Sequence, residues 1–581
     1  MAASAEIQRA RTRSRVILVA ALLALGYMGV GARLVWLQII RHDFLALRAA
    51  RQQQEVVEIP ARRGTIYDRN GRELAVSIDT DSLYAVPASI GDPGDAAKKL
   101  APALGMDVKA VKAKLDDGKR FVWLARKVSP DVPDRIKAVG DFGGALGWLA
   151  DSRRYYPKKE LASHVLGFTG MDNKGLEGLE AEYEQSIGGV AGKAITERDG
   201  TGREVLSVDE ARNSPKPGSD LVLTLDENIQ YVAEKELDGI MEKFSPISAT
   251  AIVMDPRTGE ILALANRPCY NPNNFKDASP SKWRDRAVTD LYEPGSTFKI
   301  ITASAALEEK VIKPGDIVDC GDGMIELGGR TIHSAHNEGG RLTFTQVIQK
   351  SNNVGTIKVA MRLGADRLYK YAKAFGIGEK TGVDLPGEVS GRLKEVKYWS
   401  GTSIGCIPIG QEVDVTALQM LTVLNCVANG GWYVQPYVVS EIKSADGTKV
   451  SVPVREKPRR VISEATAKTL TGILCDVVED GGTAVQANVK GWQVAGKTGT
   501  AQKYDPAIRR YSQTKFMSSF VGFVPAENPR LSCIVVVNEP KGQHYGGSVA
   551  GPAFRNIVEQ SLTYLKVPTR LPEQTLLVER R

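Results

Sequence analysis

The sequence predicts an α+β fold: an antiparallel sheet flanked by helices, carried on an elongated α+β pedestal behind one N-terminal transmembrane helix. Three observations lead there. An uncharged apolar stretch, "VILVAALLALGYMGVGA", runs from Val16 to Ala32. Apolar runs of strand length occur in "ATAIVMDPRTGEILALAN" and again in "FMSSFVGFV" and "LSCIVVVNEP". A long region with helical periodicity separates the two sets. Strands at both ends of a domain, with helices between, close when early and late strands pair in one antiparallel sheet.

The first element is the apolar run, which continues past Arg33 to Ile40. About 25 residues at ~1.5 Å each cross a bilayer, so residues 16–40 are assigned as a transmembrane helix, with Arg33 able to snorkel and Trp36 at the interface. Arg9, Arg11, Arg13 and Arg15 precede it. The positive-inside rule therefore places residues 1–15 in the cytoplasm and the bulk of the chain in the periplasm or outside. This describes a single-pass protein of the cytoplasmic (inner) membrane. Val30-Gly31-Ala32 would also suit a signal peptidase, but the apolar run outlasts a signal core, which favours an uncleaved anchor.

Residues 41–60 read as a polar helical stalk. "RRGTIYDRNGRELAVS" (Arg62 to Ser77) follows, with a hairpin signal at Asn70-Gly71. A lysine-rich segment from about 95 to 137 reads as helical. "YYPKKELASHVLGFTGMDNKGLEGLEAEYE" (Tyr155 to Glu184) mixes turns with a short amphipathic helix, and His164 and Arg63 are read as structural. The Pro/Gly-rich "NSPKPGSD" (Asn213 to Asp220) marks a boundary. It closes a non-catalytic pedestal at 41–215 and opens a domain at 216–567, leaving 568–581 as a tail. Inside that domain a helix is expected near 227–244, then two strands joined at Pro256 to Gly259, then the late strand pair.

Composition narrows the function. The net charge of +8 in 581 residues includes the four N-terminal arginines; the remainder is too diffuse to indicate nucleic acid. Six cysteines show no Cys-x-x-Cys pattern and five histidines are dispersed, so metal and redox-motif readings are weak. His333 and His336 read as a loop feature. An exterior location permits disulfides, but six cysteines allow fifteen complete pairings.

The chemistry sits in "EPGSTFKIITASAALEE" (Glu293 to Glu309), where Ser296 precedes Lys299 by three residues and an apolar helix follows. At helical spacing the hydroxyl and the amine share a face. Ser-x-x-Lys also occurs at Ser279/Lys282, Ser440/Lys443 and Ser512/Lys515, but only Ser296 opens a buried-looking helix whose free N–H groups could hold an oxyanion. A lysine acts as a base only when neutral. Moving its pKa from ~10.4 to near 7 costs about 4 to 5 kcal/mol, which burial and a second cation can supply together.

"AGKTGTAQ" (Ala495 to Gln502) offers that second cation, Lys497, with the Thr498 and Thr500 hydroxyls and Gly499, which permits close backbone approach. Another Lys-Thr-Gly, Lys380 to Gly382, lies in a Gly/Pro-framed loop and is read as structural. Gly491, Gly496, Lys497 and Thr498 also match a phosphate-binding pattern. Trp492, Gln493 and Val494 occupy its compact loop and Gly499 interrupts the helix that should follow, which argues against an NTPase. The third element, "QKSNNVG", sets Ser351 and Asn353 two apart.

The order Ser296-x-x-Lys299, Ser351-x-Asn353, Lys497-Thr498-Gly499 is the triplet of penicillin-binding proteins and β-lactamases. The whole chain resembles a class B penicillin-binding protein, and within that class the cell-division, FtsI-like transpeptidases, through "RRGTIYDRNGRELAVS" and "LASHVLGFTGMDNKGLEGLE". The resemblance implies a penicillin-binding transpeptidase domain acting on peptidoglycan stem peptides, with a D-Ala-D-Ala donor and an amine acceptor, and sensitivity to β-lactams. Ser296 would be the nucleophile and Lys299 its base. Ser351 and Lys497 would relay the proton, Asn353 would hold a peptide amide, and Thr498, Gly499 and Thr500 would receive the terminal carboxylate and oxyanion. No cofactor or metal is implied. Implied partners are the membrane, a polytopic FtsW-like glycosyltransferase and other divisome proteins. An elongation-type transpeptidase, a D,D-carboxypeptidase and a non-enzymatic divisome scaffold are the alternatives; no deacylating base of the β-lactamase kind is identifiable.

Overall fold

The structure, a computed structural model, describes residues 2–117, 119, 121–140, 142–198, 204–207, 214–334, 339–505, 507 and 510–569. His336 and the end of the expected tail, 570–581, lie outside them. Contacts divide the chain into two compact units, and the division is not a single cut. One unit holds Met1–Ala61, Asp79–Ser152 and Val190–Lys216; the other holds Arg62–Ile78, Arg153–Gly189 and Pro217–Arg581.

In the first unit the apolar helix Ala2–Val35 runs on as a π-helical turn, Trp36–Ile40. Within the span Glu6–Ile40 an 18-residue window has a mean hydropathy of 1.9, and none of that window is buried against the protein. Arg33 and Arg41 lie over the Trp36 ring at 4.3 and 4.4 Å, so two guanidinium groups and an indole meet where the apolar run ends. The expected stalk helix is corrected: helix His42–Gln53 gives way to a strand, Gln54–Ile59, paired antiparallel with Gly192–Arg198. The β-branched residues of "QEVVEI" favour that outcome. The lysine-rich segment is likewise not wholly helical. Helices Pro93–Leu104, Val108–Leu115 and Val132–Val139 bracket a strand, Val122–Val128, whose "VWLARKV" again carries aromatic and β-branched residues. Leu83, Leu100, Val111, Leu124 and Ile136 form the core of this unit.

The second unit is built on a five-stranded antiparallel sheet. Helix α1 (Glu227–Phe244) begins on Asp226, whose carboxylate accepts from the Asn228 and Ile229 N–H groups. Strands β1 (Ser248–Met254) and β2 (Ile261–Arg267) follow as a hairpin. Helices α2 (Lys299–Glu308) and α3 (Asn353–Leu363) come from the middle of the chain, and β3 (Ala495–Asp505), β4 (Arg510–Val524), β5 (Leu531–Asn538) and α4 (Gly551–Tyr564) from its end. The strand order is β2-β1-β5-β4-β3, so early and late strands meet as expected and β3 is a free edge. Every residue of β1 and β2 is buried, which requires both sheet faces to be covered. Helices α1 and α4 pack on the sheet, as does the apolar helix Ala417–Ala428.

The segments Arg62–Ile78 and Arg153–Gly189 belong to this same unit and are held by a buried ionic cluster. Glu180 accepts from Arg63 Nε at 2.5 Å and from Arg154 Nε at 2.6 Å, and all three side chains are almost wholly buried. Arg63 also donates to the Asn173 carbonyl and Arg154 to the Gly64 carbonyl. The Asn70-Gly71 turn joins the strand pair at Ile66 and Ala75, with Asp68 accepting from the Asn70 and Arg72 N–H groups.

Candidate active site

Ser296 sits in a 3-10 turn, Gly295–Phe298, and α2 starts at Lys299. The sequence placed both residues in one α-helix. The tighter turn has three residues per turn, so residues i and i+3 eclipse, and Ser296 and Lys299 share a face more closely than α spacing would give. Gly410 secures this turn: its carbonyl accepts the Gly295 N–H at 3.0 Å. Both glycines have positive φ, 54° at Gly295 and 79° at Gly410. A Cβ on Gly410 would overlap the Gly295 backbone, and one on Gly295 would lie 3.1 Å from Ala501 Cβ.

The turn packs on the free edge of β3. A side chain on Gly499 would be crowded, because a Cβ there would meet Ser519 Oγ at 2.3 Å, the Pro294 carbonyl at 3.0 Å and Thr297 Cγ2 at 3.1 Å. Edge-strand backbone groups are unpaired on the outer side, so β3 brings donors next to the half-buried Ser296. Register in the sheet sets Lys497 opposite Val521 and Thr500 opposite Ser518.

Lys299 is fully buried. Its Nζ donates to the Ser351 carbonyl at 2.6 Å and to Asn353 Oδ1 at 2.7 Å, with Ser351 Oγ 3.2 Å away. Two close acceptors take the two N–H groups of a neutral amine and leave its lone pair for a hydroxyl proton. Burial, and then repulsion from Lys497, holds the Lys299 pKa well below the ordinary lysine value. Lys497, also fully buried, is brought down to about 7 by burial. Two ammonium groups in one dry site cannot both be charged cheaply, and each proton is bound against the other.

Ser351 turns the chain with φ 57°, a left-handed conformation that is costly for a non-glycine residue. Asn352 then caps α3 by accepting from the Gly355 N–H, which delivers Asn353 to the first turn of the helix. Asn353 Nδ2 donates to the His333 carbonyl at 2.8 Å. Both ends of the Asn353 amide are thus engaged within the protein, leaving one N–H and one lone pair for a ligand. Thr498 Oγ1 lies 2.9 Å from Thr483 Oγ1, and Thr500 Oγ1 accepts from the Gly546 N–H at 3.0 Å.

All eight residues singled out in the sequence therefore lie at one place. The second Lys-Thr-Gly lies elsewhere, where Thr381 and Gly382 close a turn on the Glu388 carboxylate; the phosphate-binding pattern is broken because Gly496, Lys497 and Thr498 run in strand β3 rather than opening a helix, and the Trp492 indole donates to the Pro568 carbonyl. Gly410, the His333 carbonyl and Glu293 were not singled out. Glu293 Oε1 accepts from the Glu412 N–H and the Tyr511 hydroxyl, both at 2.9 Å, and braces the approach to Ser296. Gly410 and Glu412 both lie in "IPIGQE", whose glycine is the sequence trace of these contacts. Among the described residues no group of three His, Cys, Asp or Glu side chains is placed to hold a metal. Five of the six cysteines are buried and all six are free thiols.

A serine backed by a buried lysine of lowered pKa, a second buried lysine and an edge strand define a serine acyltransferase on a penicillin-binding scaffold. Residues 249–559 match the penicillin-binding protein transpeptidase domain, and 58–223 match the penicillin-binding protein dimerisation domain. The probable peptidoglycan D,D-transpeptidase PenA of Neisseria meningitidis is 34% identical over 565 residues, covering 96% of this chain and 94% of its own. The peptidoglycan D,D-transpeptidase FtsI of Escherichia coli is 34% identical over 545 residues, covering 92% and 89%. The crystal structure of penicillin-binding protein 3 from Mycobacterium tuberculosis with aztreonam superposes with a TM-score of 0.70 at 29% identity, covering 89% of this chain and 99% of that one. The chain belongs to the class B penicillin-binding proteins and is FtsI-like, a serine D,D-transpeptidase.

Proposed function

We propose that this protein is a membrane-anchored D,D-transpeptidase that cross-links peptidoglycan stem peptides through an acyl-enzyme at Ser296 during septal wall synthesis. The observation that carries the mechanism is the fully buried Lys299, its amine held by two close acceptors and its pKa pushed well down by burial and by Lys497, one eclipsed turn from a half-buried serine. Lys299 Nζ takes the Ser296 proton as Oγ attacks the penultimate carbonyl of a stem ending in D-Ala-D-Ala. Outward N–H groups, those of Ser296 and Thr500, stabilise the oxyanion. The C–N bond breaks and D-alanine leaves with a proton passed through Ser351 and Lys497. Thr498 and Thr500 hold the donor's carboxylate, and Asn353 a peptide amide. An acceptor amine then attacks the ester, forming the cross-link and returning the proton to Ser296. No step draws on a group from outside the chain and its two peptides. β-Lactams enter the first half of this cycle and stop there.

The bare apolar helix and the arginines before it support anchoring with the N-terminus inside and the catalytic unit outside the membrane. The FtsI likeness supports the septal role and, with it, an FtsW-like glycosyltransferase and divisome partners. Full-length protein in detergent, treated with benzylpenicillin and analysed by peptide mass spectrometry, tests the reading. A single adduct on Ser296, absent from Ser296→Ala, is expected; an adduct elsewhere, or none on folded protein, overturns it. Products formed with and without an acceptor amine separate the transpeptidase from a D,D-carboxypeptidase. Normal septation with Ser296→Ala would leave only a scaffold, and a defect confined to side-wall growth would assign the elongation role.

A further inference from the structure

A cavity of about 570 Å³ adjoins the site without containing any of the eight residues assigned to it. Its walls include Glu293, Arg330, Gln502, Tyr504 and Tyr511. Four of these five come from segments that also build the active site: Glu293 precedes Ser296, Arg330 shares the strand Arg330–His333 with the carbonyl that holds Asn353, and Gln502 and Tyr504 continue β3 beyond Thr500.

Charge decides what the cavity would take. Arg286, Arg392, Lys394 and Lys503 each have a carboxylate partner, in Asp290, Asp414, Glu412 and Glu539. Among the described residues Arg330 has none. Its Nη1 and Nη2 donate to Cys406 Sγ at 3.3 Å and Gln411 Oε1 at 3.2 Å, and its guanidinium lies 5.4 Å from the Tyr511 ring centroid. Glu293, an acid in the same wall, is already occupied by the Glu412 N–H and the Tyr511 hydroxyl. These contacts engage two of the five guanidinium N–H groups and leave three to donate to a carboxylate. Beside it stands an edge-to-face pair, Tyr504 and Tyr511, with ring centroids 5.9 Å apart, a surface suited to the aliphatic part of a small ligand.

We propose that this cavity is a second peptide site, in which Arg330 holds the carboxylate of a short peptide and Tyr504 and Tyr511 flank its chain. The ligand class rests on the function proposed above, since stem peptides end in carboxylates; the site itself rests on the cavity and the unpaired guanidinium.

The test uses full-length protein in detergent with Ser296 first acylated to completion by benzylpenicillin, so that the catalytic groove is blocked. Calorimetric titration follows with diacetyl-L-Lys-D-Ala-D-Ala and with its C-terminal amide. One equivalent of the acid is expected to bind the acylated protein, and the amide, or the acid with Arg330→Gln, to bind at least about tenfold more weakly. Tyr504→Ala is expected to weaken both peptides alike. Penicillin acylation reports the fold of each variant, and the acid-against-amide comparison needs no variant. No binding to the acylated protein, equal binding of acid and amide, or indifference to Arg330→Gln in a variant that acylates normally overturns the proposal. Failure of penicillin to acylate Ser296 would instead defeat the proposed function.

Discussion

Lys299 Nζ lies 2.6 Å from the carbonyl oxygen and 3.2 Å from the hydroxyl of Ser351, a residue held at φ 57°. The strained backbone of one residue thus places two oxygens on the amine of another, and strain of this kind persists where the surroundings over-determine it.

Ser351→Gly separates the two roles. Glycine adopts the left-handed conformation freely, so thermal unfolding should show stability unchanged or raised by about 1 kcal/mol. The hydroxyl is gone, however, and acylation by a penicillin should slow by about a hundredfold. A large loss of stability would show that the conformation is not strained.

Lys497→Met should move a pH profile. With Lys497 removed, repulsion no longer lowers the Lys299 pKa. It rises, the neutral base appears only at higher pH, and the acid limb of the acylation rate should shift toward alkaline values. An unshifted limb would show that burial alone sets the Lys299 pKa.

The same substitution bears on stability. The Lys497 pKa is about 7 in the folded protein against 10.5 for a free lysine. Between these values unfolding takes up a proton, so wild-type stability from this group rises with pH; below about 7 the buried charge carries its full cost, on the order of 5 kcal/mol. Lys497→Met should therefore be more stable than wild type near pH 6, with the advantage shrinking as pH rises toward 10. Urea unfolding across that range checks it.

Gly410→Ala should disturb Ser296 from a distance in sequence. Its methyl group meets the Gly295 backbone and its φ of 79° disfavours alanine, so a loss of about 1 to 3 kcal/mol is expected. Slower acylation should accompany a lower unfolding temperature; retention of both would show that the turn does not depend on this contact.

Glu180→Ala would leave Arg63 and Arg154 buried without their shared carboxylate. Removal of one member of such a cluster costs about 3 to 5 kcal/mol. Because Arg62–Ile78 and Arg153–Gly189 pack within the catalytic unit, the loss should appear in the unfolding of that unit, followed by protection of Ser296 acylation against urea.

Motif spacing and apolar patterning carried the reading of Ser296-x-x-Lys299, Ser351-x-Asn353 and Lys497-Thr498-Gly499, and of the sheet strands, because those signals are local. The stalk and the lysine-rich segment misled for the same reason: "QEVVEI" and "VWLARKV" become strands only where partners lie alongside, and strand preference depends on such neighbours. By itself the sequence determined which side chains could do acyl transfer and which strands would be apolar throughout. Only the tertiary structure decided that the Lys299 pKa is driven down, that Gly410 supports Gly295, and that a pedestal segment shares the catalytic core. A pKa depends on burial and on charges brought near through space, and residues far apart in sequence acquire those only when the chain has folded.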